Sequence, residues 1–184
     1  MKSDAIDVSN GYIIPAGENR KVREYKFIST DGQTQYPIQR FARVIIWRLD
    51  KILMVYNLKF KDWNFPGGKI DPYEPSETGI TRETDEEINL KIKPRRLKKI
   101  FEKPVMFGDG KWHYGHYFEV QDYLPMLKTF NLNEPEKIAD ALFFGIDEMR
   151  YHPALPHDLS PAVKAYLEQV RIIPMARGRN VYIY

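Results

Sequence analysis

The sequence predicts an α+β fold, a mixed β-sheet sandwiched between helices with a β-hairpin extension at the N-terminus. Three observations predict it. Runs of β-branched and aromatic residues of strand length recur between turn residues, an acidic segment at 75–88 switches to a four-residue period, and a capped apolar helix follows near the C-terminus. With 184 residues, 43% hydrophobic and 14% aromatic, the chain can bury one core and is too short for two comparable domains. We divide it into an extension at 1–38, a main domain at 39–175 and a basic, aromatic tail at 176–184.

In the extension, residues 24–29 and 33–38 can pair as strands around the Asp31-Gly32 turn. Residues 42–48 and 52–57 are expected to form a central hairpin joined by Asp50-Lys51. A loop, Trp63-Asn64-Phe65-Pro66-Gly67-Gly68, then leads to the acidic helix, whose Ile80, Thr84 and Ile88 share one face and whose Pro75 suits a first turn. Strands at 97–107 and 112–120 flank Gly108-Asp109-Gly110, and 141–146 is a shorter strand. Ser160-Pro161 starts a helix running to about Arg171 with an apolar stripe of Val163, Tyr166, Leu167 and Val170. Residues 181–184 read as a docked strand or, with Arg177-Gly178-Arg179, as part of a basic arm.

Composition removes several functional classes. No apolar run reaches 18 residues and the first ten residues are polar, so the sequence predicts neither a membrane span nor a leader, and a cytoplasmic location is the expectation. The absence of cysteine excludes disulfides, thiolate catalysis and cysteine-ligated metal. His113 and His116 stand three apart in a strand, which turns them to opposite faces, so zinc is not expected there. The net charge is only +3, yet acidic residues crowd into 71–87 and leave the remainder more basic.

The acidic helix carries the chemistry. At 100° per residue, Glu83, Glu86 and Glu87 fall within roughly a 100° arc. Three carboxylates on one face repel one another, and a hard divalent cation such as Mg²⁺ resolves that conflict while leaving places for water and substrate phosphates. Gly67 and Gly68 make a tight turn and let backbone N–H groups approach a phosphate.

The stretch at 68–90 resembles the catalytic box of the Nudix hydrolases. Gly68 is followed after five residues by Glu74, and after seven more by Arg82-Glu83-Thr84-Asp85-Glu86-Glu87-Ile88-Asn89-Leu90, against the family pattern Gly-x5-Glu-x7-Arg-Glu-U-x-Glu-Glu-x-Gly-U, with U a bulky aliphatic residue. Six matched fixed positions, each of a residue type near 5–7% of average usage, arise by chance in fewer than about one window in ten million. Thr84 departs from an aliphatic position, and Asn89 replaces the glycine that ends the helix, a left-handed position that Asn tolerates. The resemblance spans about residues 40–169 and implies the Nudix fold, a mixed sheet between helices.

It also implies a hydrolase of phosphoanhydride bonds with Mg²⁺, or Mn²⁺ in its place, on Glu83, Glu86, Glu87 and the Gly68 carbonyl. Arg82 would orient the carboxylates, and the general base would be Glu83, with Glu134 or Glu136 next. Gly67, Gly68, Lys69, Arg43 and Asp158 are assigned to substrate binding. The segment Asn133-Glu134-Pro135-Glu136-Lys137 resembles the MutT-like branch, which favours conversion of a nucleoside triphosphate to the monophosphate and pyrophosphate. Two alternatives stay open: an RNA 5′-end hydrolase, suggested by a pI near 8.9 and the basic residues at 93–99 and 177–179, and a binding module without turnover. The expected partner is a small nucleotide, with RNA and a homodimer left open and no membrane.

Overall fold

The structure is a computed structural model that describes residues 6–8, 11–15, 25–28, 34–35, 39–120, 132–152, 155–174 and 180–183. In the extension, β1 (Ile6–Val8), β2 (Gly11–Pro15), β3 (Tyr25–Ile28) and β4 (Thr34–Gln35) form a four-stranded antiparallel sheet in chain order. The anticipated pairing of 24–29 with 33–38 is its β3–β4 ladder, Phe27 opposite Gln35. The Asp31-Gly32 turn lies outside the described residues.

Residues 42–48 do not form one strand of a central hairpin. They are divided between β5 (Arg40–Ile45), which runs parallel to β10 (Trp112–Val120), and the short β6 (Trp47–Arg48), which alone folds back on β7 (Lys51–Asn57). The segment is apolar on both faces, so alternation could not show where it changes partner. The change falls at Ile46, whose carbonyl accepts the Leu53 N–H at 2.9 Å. Strand β9 (Leu97–Met106) pairs antiparallel with β10, completing the order β5-β10-β9, mixed as expected. The other sheet has β7 between β11 (Ile138–Gly145) and the pair β6 and β8 (Asp62–Asn64).

Two apolar layers clothe these sheets. Ala42, Val44, Ile46, Leu53, Val55 and Phe118 pack with Ile80 and Ile88 of α1 (Ser76–Ile88). Phe41, Ile45, Ile52, Met54 and Tyr117 pack instead with Ile146 and Met149 of α2 (Ile146–Tyr151) and Val163 and Tyr166 of α3 (Pro161–Gln169). The sheets are thus sandwiched between helices, because alternate residues of β5 serve opposite layers. Ser160 caps α3 by accepting the Val163 N–H at 3.2 Å. The last strands, β12 (Arg171–Pro174) and β13 (Asn180–Ile183), pair antiparallel, while Arg177-Gly178-Arg179 lies outside the described residues. No helix among the described residues is long and apolar enough to cross a membrane.

The two positions where the box departs from its pattern are accommodated locally. Thr84 is fully buried and its hydroxyl donates to the Ile80 carbonyl at 2.9 Å, so no polar group is left unpaired. Asn89 takes φ 53° and ψ 37°; its N–H donates to the Asp85 carbonyl and the Leu90 N–H to the Thr84 carbonyl. That double bond is the left-handed helix ending in which glycine is commonest. Asn89→Gly should therefore leave stability in chemical denaturation within about 1 kcal/mol of the parent, or raise it slightly. A larger loss would show that the exposed Asn side chain does work the backbone does not reveal.

Candidate active site

The order of the site begins with Arg82. All five N–H donors of its guanidinium find acceptors: Nε donates to Glu74 Oε1 at 3.2 Å, one terminal nitrogen to Glu83 Oε1 at 2.7 Å and Glu86 Oε2 at 3.0 Å, and the other to Glu74 Oε2 at 3.1 Å and the Lys69 carbonyl at 3.0 Å. The hydrogen bonds it donates to Glu74 raise the Arg82 pKa further, and in return Arg82 holds the Glu74 carboxyl below its usual range. Glu74 also accepts the Asp71 N–H at 3.0 Å, and Arg40 ties the same turn by donating to the Asp71 and Glu74 carbonyls at 3.0 Å each. Arg40 was not visible as a site residue in the sequence, since a strand-edge arginine carries no pattern.

Glu83 and Glu87 flank the double glycine. The loop returns to β5 through Ala42 N–H to the Gly68 carbonyl at 2.9 Å. A Cβ on Gly68 would stand 2.1 Å from Glu83 Oε2, so any side chain there would displace the Glu83 carboxylate. Gly67 has φ +124°, and a Cβ there would stand 2.4 Å from the Ala42 carbonyl oxygen, so it is required on both counts. Its N–H donates to Glu87 Oε2 at 2.8 Å.

Burial sets the electrostatics. It raises the Glu83 pKa despite Arg82, and it pushes Glu87, only 8% exposed, up to about 7 against the opposing pull of Arg43 and the Gly67 N–H. Glu134 stands near enough for its charge to add to the rise at Glu87. Its loop docks on the end of α1, where the Asn133 N–H donates to the Glu87 carbonyl at 3.2 Å and the Asn133 side chain to the Asp85 carbonyl at 2.9 Å. Glu136 is exposed.

Arg43 is half-buried on β5 and donates to the Phe65 carbonyl at 3.3 Å. Its Nε is enclosed without a hydrogen-bond partner among the described residues, and burial lowers its pKa while Glu87, Tyr117, Glu83 and Asp62 oppose the shift. Asp62 likewise has one enclosed, unpartnered oxygen and a pKa raised by burial. This facing carboxylate left no signal in the sequence. Lys69 and Asp158 are exposed; Asp158 ends the short turn Leu155–Asp158, ahead of Leu159, which bridges to Trp63. Phe41 and Tyr114 are buried, and Trp47 and Trp112 are half-buried. His116 is buried with Nδ1 3.1 Å from Glu102 Oε1, and His113 packs against Phe107.

As the side chains stand, Glu83 and Glu86 turn to Arg82 and Glu87 to Gly67, and among the described residues no three acidic or histidine groups converge on one point. The donor set still suits a hard divalent cation. It offers three carboxylates within five residues of one helix, two of them with their charged forms disfavoured, and a Gly68 carbonyl with one lone pair remaining.

Hard-cation donors beside backbone that can approach an oxyanion make up the chemistry of enzymes that hydrolyse pyrophosphate bonds. The family comparison is specific: the model for the NUDIX domain matches residues 37–167, and the chain belongs to that family as a Nudix hydrolase. Among solved structures it is similar to a MutT NUDIX hydrolase from Burkholderia pseudomallei, at 23% identity and TM-score 0.59 over 72% of this chain and 98% of that one. A MutT protein from Methanosarcina mazei matches at 17% identity and TM-score 0.56, over 72% and 91%. A bifunctional NMN adenylyltransferase/ADP ribose pyrophosphatase from Francisella tularensis, solved with AMP and a manganese ion, matches at 20% and 0.54, over 72% of this chain and 41% of that one. No curated protein matches the chain at a significant level.

The buried Glu87 makes stability depend on pH. Its folded pKa of about 7 lies above its ordinary 4.5, so its contribution is fully present below about pH 4.5 and is lost as pH rises through 7. The loss is on the order of 3 kcal/mol at 1.4 kcal/mol per unit. In chelator, Glu87→Gln should melt close to the parent near pH 5 and clearly above it at pH 8. A melting difference that stays constant across this range would contradict the assigned burial.

Proposed function

We propose that the protein is a divalent-metal-dependent nucleotide pyrophosphohydrolase that converts a nucleoside triphosphate to the monophosphate and pyrophosphate, with Mg²⁺ as its ion and Mn²⁺ a working substitute. The observation that carries this reading is that Glu83 and Glu87, both with raised pKa, lie directly against Gly68 and Gly67. Glu83, Glu86, Glu87 and the Gly68 carbonyl are the residues that would hold the ion. What the ion supplies when bound is neutralisation of the diphosphate and a more acidic water.

The chain's own residues do the rest. Arg82 fixes the orientation of Glu83 and Glu86, a positioning role, since its donors are all committed. Glu83 is the proposed general base: burial raises its proton affinity, and Arg82 fixes one of its oxygens while the other lies against Gly68. Glu134, beside Glu87, is the second candidate. Because Glu87 occupies the Gly67 N–H, the Gly68 N–H, which has no partner among the described residues, is the amide left for a phosphate oxygen. Arg43 has guanidinium capacity unspent within the fold, and the exposed Lys69 adds a second cation for the phosphate chain. Asp158 is the proposed contact to the nucleoside portion.

The exposed Lys93, Arg95 and Lys98 beyond the end of α1 are the ground for an RNA 5′ end as substrate, so 5′-triphosphorylated RNA belongs in the same assay. In a panel of nucleoside triphosphates, dinucleotide pyrophosphates and that RNA, with Mg²⁺ present, free triphosphates should be turned over best and yield pyrophosphate. Glu86→Gln and Glu87→Gln should each lose at least about a hundredfold in kcat. Undiminished turnover with every divalent cation chelated would exclude this mechanism.

A further inference from the structure

The loop joining β7 to β8, Leu58-Lys59-Phe60-Lys61, presents apolar and basic groups together. Leu58 is 42% exposed and Phe60 62% exposed, and both lysines are exposed. One exposed apolar residue on a surface is ordinary. Two within four residues, interleaved with two cations on a rigid turn, are a composition that core packing does not explain.

The turn is held firmly. Asn57 Oδ1 accepts the Lys59 N–H at 3.0 Å and the Phe60 N–H at 3.1 Å, and the Asn57 carbonyl accepts the Lys61 N–H at 2.7 Å. Lys61 takes a left-handed φ of 55°. The Lys59 ammonium lies over one face of the Phe60 ring, 5.3 Å from its centroid, and among the described residues no other ring or charged group meets Phe60. The ring therefore has a second, open face at little ordering cost.

Both ends of the turn lead to the site. On one side the Leu58 N–H donates to the Lys137 carbonyl at 2.8 Å, and Lys137 forms an ion pair with Glu134, whose charge is felt by Glu87. On the other side Lys61 is followed by Asp62, the enclosed carboxylate near Arg43, and then by the strand that enters the double glycine. A π face beside two ammonium groups matches a ligand with a planar ring and a phosphate chain, since stacking is indifferent to the identity of the base while the lysines answer its phosphates.

We infer that the Leu58-Lys59-Phe60-Lys61 turn is a recognition element that stacks the nucleobase of the substrate on Phe60 and guides its phosphate chain with Lys59 and Lys61. This rests on the nucleotide reading above. The test is calorimetric titration, which needs no turnover, of a nucleoside 5′-(α,β-methylene)triphosphate and of inorganic tripolyphosphate, with Mg²⁺ present. The parent should bind the nucleotide analogue more tightly than tripolyphosphate. Phe60→Ala should weaken the analogue by roughly tenfold, with tripolyphosphate unchanged, and Phe60→Tyr should restore binding to within about twofold. Lys59→Ala combined with Lys61→Ala should weaken both ligands. An analogue bound no better than tripolyphosphate by the parent, or an unchanged analogue affinity in Phe60→Ala, would overturn the inference. So would an equal loss for both ligands in Phe60→Ala. A parent that binds the analogue as expected but hydrolyses no nucleotide would defeat the functional reading alone.

Discussion

One guanidinium holds the candidate site together. Arg82 satisfies Glu74, Glu83, Glu86 and the Lys69 carbonyl at once, joining the loop that precedes α1 to two successive turns of its acidic face. Without a cation at that point, Glu83 and Glu86 would repel each other across less than one helical turn. Lysine could not replace it, because a single ammonium has three donors and no planar fork to serve three carboxylates and a carbonyl together. The geometry of Glu74, at the start of the helix, thus reaches Glu86 near its end through one side chain.

Glu87 is the complementary element. It accepts no bond from Arg82, is buried, and among the described residues has only the Gly67 N–H as a direct hydrogen-bond partner, so its charge is left poorly compensated. The fold accepts this strain because β5 and the glycine loop are already fastened by backbone bonds, Ala42 to Gly68, Val44 to Pro66 and Ile70 to Arg40. Under the proposed function, a rigid frame that holds a carboxylate at a proton affinity near neutrality would receive a cation there. Local instability and the proposed metal affinity are then two aspects of one arrangement.

Much of this was legible in the sequence, and what was legible follows from local rules. The four-residue period of Ile80, Thr84 and Ile88 gave α1, the Asn89 departure was compatible with a left-handed helix end, and Ser160-Pro161 gave the start of α3. The sandwich and the family were also readable, because the box spacing depends on one helix and one loop. The division of residues 42–48 between two sheets was not, since a strand apolar on both faces contains no mark of which neighbour it pairs with. Arg40 and Asp62 were missed for a related reason: their partners lie 31 and 19 residues away in chain order, and only the folded β5 and β8 bring them there. The enclosed setting of Arg43 likewise depends on tertiary packing.

The central claim is that the α1 carboxylates form a metal site whose occupation must first remove a proton from Glu87. Titration of Mn²⁺ or Mg²⁺ into the metal-free protein near pH 6, in buffers of different ionisation enthalpy, measures that proton directly. The account predicts release of most of one proton per ion bound in the parent, falling close to zero in Glu87→Gln together with a loss of affinity. Tight binding with no proton released, or the same release in the Gln variant, would contradict it.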